Sequence, residues 1–293
     1  MKFPPFGYHD PETLAEAIGL LATLDGSRLL AGGQSLMPML AMRYAQPEHL
    51  IDLRRITDLA GIRIDDTVIE IGSMTRQRDV EFSEVIGRQL PMLHEAILHV
   101  GHRQTRNRGT VGGSLCHLDP AAEQVSVIAA FDAELIVQGL SGQRRIAASE
   151  WPLNFMTPSL SPDEILVSVR FTPWPEAHGW AFMEFARRHG DFAIASAAAL
   201  VLLDGEGRFS RVSLTIGGVG LAPIRMTEVE QALVGQRGGD KVFRDAAAAC
   251  AQLQATGDAL VPAYYRSHIA GVMAKRALAT AHARAGDFRG GLH

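Results

Sequence analysis

Ala31-Gly32-Gly33-Gln34-Ser35 and Thr110-Val111-Gly112-Gly113-Ser114 are two turns of small residues, far apart in the chain and nearly alike. Glycine lets successive backbone N–H groups converge with no Cβ in the way, and a helix starting behind such a turn adds partial positive charge. Each turn suits a phosphate, and the pair suits a pyrophosphate held by both. A lone Gly-Gly pair is most often only a tight turn. Here the pair recurs, with Arg28 just before the first copy and Arg103, Arg106 and Arg108 before the second, which sets full positive charge beside the expected diphosphate. The hydroxyls of Ser35 and Ser114 add phosphate donors.

Around the first turn the pattern reads as one α/β unit. Asp10-Pro11-Glu12 followed by Leu14, Ala17, Ile18 and Leu21 predicts an amphipathic helix, stopped at Asp25-Gly26. A strand at residues 28–31, a helix from Ser35 to Ala45 and a strand at residues 49–53 follow, with a right-handed crossover expected. Around the second turn, residues 68–72 alternate at strand period, 75–82 and 91–100 are helix-like, and 121–131 form a helix followed by a strand at 134–138. Residues 165–171 close this unit before Pro173-Trp174-Pro175, a credible linker. Strands at 180–187, 196–203 and 209–216 and then helices from 227 to 285 make an α+β remainder. The expected division is therefore 1–55, 56–175 and 176–293.

The 293 residues suit two domains or one large core with an appendage, at roughly 100–200 residues per domain. A net charge of -4 gives no global attraction to nucleic acid, so an anion site must be built locally. Two cysteines, Cys116 and Cys250, are too few for an iron–sulfur cluster or a disulfide framework, and a reduced cytoplasmic chain is expected. Residues 1–6 carry no apolar leader, and the longest weakly polar run, 192–203, falls short of the ~20 residues that span a bilayer, so no membrane insertion is expected. No G-x-G-x-x-G or P-loop occurs. The histidines of His94-Glu95-Ala96-Ile97-Leu98-His99 are five apart rather than four, which favours a solvated helix face over zinc. No G-x-S-x-G surrounds Ser35 or Ser114, and no metal site or catalytic side chain is assigned. His117-Leu118-Asp119 with Glu123 has the residue types of a metal or acid–base cluster; Asp119 and Glu123 are read more sharply as ribose-binding carboxylates, beside the plainer reading of Asp119-Pro120 as a helix start.

At these residues the sequence resembles the FAD-binding medium subunit of the molybdenum hydroxylases, the family of xanthine and carbon monoxide dehydrogenases. The resemblance runs through 31–38, Pro47-Glu48-His49-Leu50-Ile51-Asp52-Leu53, 106–114 and Asp119-Pro120-Ala121-Ala122-Glu123. It continues through Arg187-Arg188-His189-Gly190-Asp191-Phe192-Ala193, Gly217-Gly218-Val219, Pro223-Ile224-Arg225, Tyr265-Arg266 and Arg276-Ala277-Leu278. It implies an α+β, PCMH-type (vanillyl-alcohol-oxidase-like) FAD fold, with two α/β subdomains gripping the cofactor and a C-terminal α+β domain. It also implies a large molybdopterin subunit, a small subunit with two [2Fe–2S] clusters, a dimer of heterotrimers, and electrons that leave through the flavin.

Carried over by position, Ala31, Gly32, Gly33, Gln34 and Ser35 with Thr110, Val111, Gly112, Gly113 and Ser114 hold the pyrophosphate, with Arg28 in support. Glu123 meets ribitol or ribose hydroxyls, while Leu160 and Phe192 lie near the flavin end. Ser114 stands where relatives often have Asn or Asp, Glu123 where Asp is usual, and Glu184 where Lys is common. Phe192 packs but lacks the hydroxyl of the Tyr found there in some relatives. The alternatives are a self-sufficient flavin oxidase or dehydrogenase of the same fold, and a nucleotide-binding assembly module without electron transfer.

Overall fold

The computed structural model describes residues 2–65 and 67–290. Its first unit holds β1 (Gly7–His9), α1 (Leu14–Thr23), β2 (Ser27–Leu30), α2 (Leu36–Ala41) and β3 (His49–Asp52). The three strands run parallel in the order β1-β3-β2, with Arg28 and Tyr8 both opposite Leu50. α1 begins at a reciprocal cap: the Thr13 hydroxyl accepts from Glu16 N, and the Glu16 carboxylate accepts from Thr13 N. Its buried Ala17 and Ile18 pack with Ile51 and Leu53 from the β3 side. The first glycine turn is the link from β2 to α2, at the carboxyl end of a parallel strand.

The second unit opens with the hairpin β4 (Ile62–Asp65) and β5 (Val68–Gly72). Helices α3 (Gln77–Glu81), α4 (Glu84–Gln89), α5 (Pro91–His99), α6 (Arg103–Arg108), α7 (Val111–His117) and α8 (Glu123–Phe131) follow. The chain then returns through β6 (Glu134–Gly139), β7 (Gly142–Ala147), the short hairpin β8 (Pro152–Asn154) and β9 (Thr157–Pro158), and β10 (Ile165–Phe171). The sheet order is β4-β5-β10-β6-β7, and every pairing is antiparallel. A central core of Ile69, Ile71, Leu93, Ile97, Leu115, Val127, Leu135 and Trp151 joins this sheet to its helices, and Trp151 satisfies its buried N–H on Leu115 O at 2.8 Å.

The third unit is an antiparallel meander of β11 (Gly179–Phe185), β12 (Ala195–Leu203), β13 (Phe209–Gly217) and β14 (Ile224–Arg225). Helices α9 (Thr227–Leu233), α10 (Asp240–Cys250) and α11 (Ala263–Gly290) complete it. Ala195, Ala197 and Ala199 join the core that includes Ala274, Ala277 and Ala281 of α11, while Ala198 and Leu200 belong to the core of the second unit. This strand is therefore sandwiched, and its run of small residues sets a close helix approach. A Cβ on Gly179 would stand 1.7 Å from Ala281 O. Gly179→Ala is thus expected to cost about 1–3 kcal/mol or more, seen as a lower Tm in thermal melts. Arg284 of α11 spans the units, donating to both oxygens of Glu95 at 2.9 and 3.1 Å and to Trp180 O at 2.7 Å.

That last contact corrects one expectation. The 94–99 face is not solvated: His94 Nε2 donates to Glu81 O (3.0 Å), Glu95 holds Arg284, and His99 sits 3.3 Å from Glu184. No helix among the described residues is long and apolar enough to cross a membrane.

Candidate functional site

The two glycine turns meet. Thr110 caps α7, its hydroxyl accepting from Gly113 N at 3.0 Å, so Gly112 and Gly113 lie in a helical first turn rather than in a free loop. A Cβ on Gly113 would lie 3.3 Å from Ala31 Cβ and 3.9 Å from Gly32 N. A Cβ on Gly32 would lie 2.3 Å from Arg108 O. Gly33 has φ +74°, the left-handed conformation that turns the chain from β2 into α2. The glycines are thus spent on letting two backbones, some eighty positions apart, come into contact.

The donors of the two turns differ. Among the described residues, no protein acceptor engages the backbone N–H groups of Gly32, Gly33, Gln34 and Ser35, and the Gln34 side chain folds back onto Gly32 O at 3.2 Å. In the second turn Val111 N is bonded to Thr75 O (3.0 Å), Gly112 N to Ser73 O (2.7 Å) and Ser114 N to Thr110 O (3.2 Å). The first turn therefore presents open amides, and the second presents a wall and the Ser114 hydroxyl.

A cleft of about 490 Å³ opens on the first turn, with Tyr8, Asp52, Arg54 and Arg108 among its walls. Tyr8 donates to Asp52 Oδ2 at 2.8 Å; burial and that carboxylate raise its pKa. Asp52 Oδ1 accepts from Arg54 N at 3.0 Å. Arg28 is exposed on β2 and is not among the lining residues. Nor does Arg106 serve here: it is bonded to Glu81 at 2.9 and 3.3 Å and to Val100 O, and holds the Glu81 carboxyl below its ordinary range. Of the arginines preceding the second turn, Arg108 alone reaches this cleft among the described residues.

α7 leads from this cleft to another. Its seven residues cover about 10 Å at 1.5 Å each, and it ends on Leu118 in the left-handed conformation, φ 53°. Asp119 then turns the chain, its Oδ1 accepting from Ala121 N at 2.9 Å. Beyond lies a cleft of about 490 Å³ walled by Asp119, Pro120, Asp191, Phe192 and Arg266, with exposed Phe155, Leu221 and Leu260 around it. Phe192 is 60% exposed. Leu160 is half-buried against the central core and does not line this cleft. Glu123, in the first turn of α8, is only 6% exposed, and burial foremost pushes its carboxyl up to about 8. His117 is biased towards its neutral form, chiefly by burial.

Residues 4–174 match the family described as the FAD binding domain in molybdopterin dehydrogenase. The chain belongs to that family. Residues 180–281 match the CO dehydrogenase flavoprotein C-terminal domain. The chain is 40% identical over 287 residues to the 6-hydroxypseudooxynicotine dehydrogenase complex subunit alpha of Paenarthrobacter nicotinovorans, covering 97% of each. It is 35% identical over 283 residues to the carbon monoxide dehydrogenase medium chain of Hydrogenophaga pseudoflava, covering 96% of this chain and 98% of that one. A solved structure of carbon monoxide dehydrogenase from that organism, lacking the Mo-pyranopterin moiety of its molybdenum cofactor, superposes with TM-score 0.94 at 36% identity, over 97% of this chain and 99% of the other. The α+β architecture is thus the PCMH-type FAD-binding fold of the molybdopterin dehydrogenase flavoproteins.

Tyr8, Asp52 and Arg54 escape a sequence reading because parallel pairing of β1 with β3 assembles them. Arg266 stands in a matched motif, but its role as a clamp escapes the sequence because its partners come from three separate segments.

Proposed function

We propose that this chain is the flavin-carrying electron outlet of a molybdopterin-dependent dehydrogenase complex, receiving electrons from a partner's [2Fe–2S] cluster and delivering them to an external acceptor. The observation that carries this reading is the contact of Gly113 with Ala31 and Gly32 at one end of α7, with an aromatic-rimmed cleft at the other. The residues fit FAD: Gly32 to Ser35 offer open amides for the diphosphate, and Arg54 and Arg108 offer positive charge. Thr110 to Ser114 close the opposite side by shape. Ser114 and Glu123 address the hydroxylated linker, Leu160 packs behind them, and Phe192 covers the ring end. FAD, when bound, supplies the electron chemistry; the protein binds, orients and insulates it.

The three larger sheets support a division into units 1–55, 56–175 and 176–293, with the diphosphate between the first two. The relatives named as a medium chain or as a subunit of a complex support partner subunits, and the partners proposed are a large molybdopterin subunit and a small iron–sulfur subunit in a dimer of heterotrimers. Unpaired Cys116 and Cys250 suit a cytoplasmic setting.

The complex purified with its partners should be yellow-brown and contain flavin, iron and molybdenum. Its flavin absorbance should bleach on adding the donor substrate and return on adding an acceptor. A complex without flavin, a flavin that never bleaches, or turnover by the isolated chain would each overturn the reading.

A further inference from the structure

A polar seam lies where α5 and α8 meet the inner face of the third unit's sheet. Glu184 on β11 stands opposite Ser196 on β12, and Ser196 opposite Gly217 on β13. Ser126 of α8 faces the same point: a Cβ on Gly217 would lie 2.3 Å from Ser126 Oγ and 2.5 Å from Ser196 Oγ, so the two hydroxyls share the space that a side chain at 217 would fill. Thr215 is on this face too, between Gly217 and Ser213, whose hydroxyl reaches Ala130 O of α8 at 2.6 Å. Ser126, Ser196 and Thr215 have no exposed surface. Their hydroxyls, and Glu184 Oε2, are buried with no hydrogen-bond partner among the described residues.

Each such orphan costs about 1–3 kcal/mol if left dry, so four within one seam form a polar line that water entering it would bridge. The seam has two ends. At one, the point shared by Ser126 and Ser196 is 3.5 Å from Pro120 O, and Pro120 walls the cleft that holds Phe192. At the other, Glu184 Oε1 is 3.3 Å from Nδ1 of His99, whose side chain is 35% exposed.

We propose that this seam is a hydrated proton path between His99 and the cleft, with Glu184 and Glu123 as the carboxyls that hold and release the proton. The inference rests on the functional reading above. Electrons from an iron–sulfur cluster arrive without protons, whereas a flavin that gains two electrons also gains one proton or two. These leave again when the external acceptor takes the electrons. The seam accepts them from His99 and returns them there.

The charged groups around it suit this traffic. Glu123 feels Glu184, His99 and Asp119, while Glu95, the remaining carboxylate near His99, is held by Arg284. Hydrogen bonding to Glu184 raises the His99 pKa, and burial lifts Glu123 to about 8. A carboxyl raised in this way is protonated in the fold at pH values where the unfolded chain would have lost the proton. Its stabilising contribution is lost as pH rises from the ordinary carboxylate range through about 8.

The test uses the FAD-loaded complex and redox-difference infrared spectra in H₂O and D₂O, with the flavin midpoint potential measured against pH. Reduction of the flavin should alter a protonated-carboxyl band that shifts in D₂O. Glu184→Gln should change or abolish that band and Glu184→Asp should restore it, whereas Glu123→Gln should remove the slope break of the potential near pH 8. Ser196→Ala should keep the band and slow proton uptake, followed with an indicator dye, by about a hundredfold. A wild-type spectrum with no redox-linked carboxyl band overturns the proposal, as do Glu184→Gln and Ser196→Ala variants with wild-type profiles. If Glu184→Gln does not fold, the wild-type spectrum and Ser196→Ala still decide. Flavin content is read in the same sample: its absence defeats the functional reading, whereas bound, reducible flavin without the band defeats this inference alone.

Discussion

Gly113→Val is expected to leave the chain folded and empty of FAD. The Cβ alone comes within 3.3 Å of Ala31 Cβ and 2.8 Å of the Thr110 hydroxyl that caps α7. Two further methyl groups then occupy the approach to Gly32 and Gly33, whose amides are the open donors. The second turn has no slack to retreat, because Val111 N and Gly112 N are tied to Thr75 O and Ser73 O. The first turn must move instead, and the paired surface is lost. Overpacking of this kind costs about 1–3 kcal/mol, which three large cores absorb, so far-UV circular dichroism should change little. Flavin affinity should fall at least about a hundredfold, close to 3 kcal/mol. The ratio of flavin absorbance to protein after gel filtration measures it. Gly113→Ala, which meets the contact without filling the approach, should keep part of the flavin. Wild-type flavin content in Gly113→Val would reduce the turn to a structural device.

The two turns were legible because the need for glycine is local: a positive φ at Gly33 and a missing Cβ at Gly32 and Gly113 are written in the residue type. Which turn donates and which merely abuts was not, since Ser73 and Thr75 lie nearly forty positions before the amides they occupy. Strands with strict alternation, such as β5, and apolar runs, such as β10, emerge at the expected residues, and so do most helix cores. α6 does not, because Arg103-Gln104-Thr105-Arg106-Asn107-Arg108 buries no residue and carries no apolar stripe. β7 is equally silent: Gly142-Gln143-Arg144-Arg145 is an exposed, charged edge of the sheet. The arginines show the limit best. Spacing alone placed Arg28, Arg103, Arg106 and Arg108 together, whereas the fold leaves Arg28 and Arg103 exposed away from the cleft, binds Arg106 to Glu81 and leaves Arg108 at the cleft.

Arg266→Ala should be the most destabilising change at the cleft around Phe192, the proposed ring end of the site. The residue is 8% exposed and comes from α11, yet its partners are elsewhere: one guanidinium nitrogen donates to Ile194 O and Gly218 O, both at 2.8 Å, and the other to Asp258 Oδ2 at 2.6 Å. Asp258 in turn accepts from Leu260 N and Val261 N at 2.7 and 2.8 Å. One planar, permanently charged group thus pins three segments that wall the cleft around Phe192. Removing it strands two buried carbonyls at about 1–3 kcal/mol each, on the order of 10 °C in Tm. Arg266→Lys keeps the charge but cannot span the carbonyls and the carboxylate at once, so it should fall between. The ring end should loosen before the diphosphate end: flavin fluorescence, quenched by packing, should rise in Arg266→Lys while flavin content is retained. A melting temperature within a degree or two of wild type for Arg266→Ala would mean that the clamp is redundant and that another contact holds the three segments together.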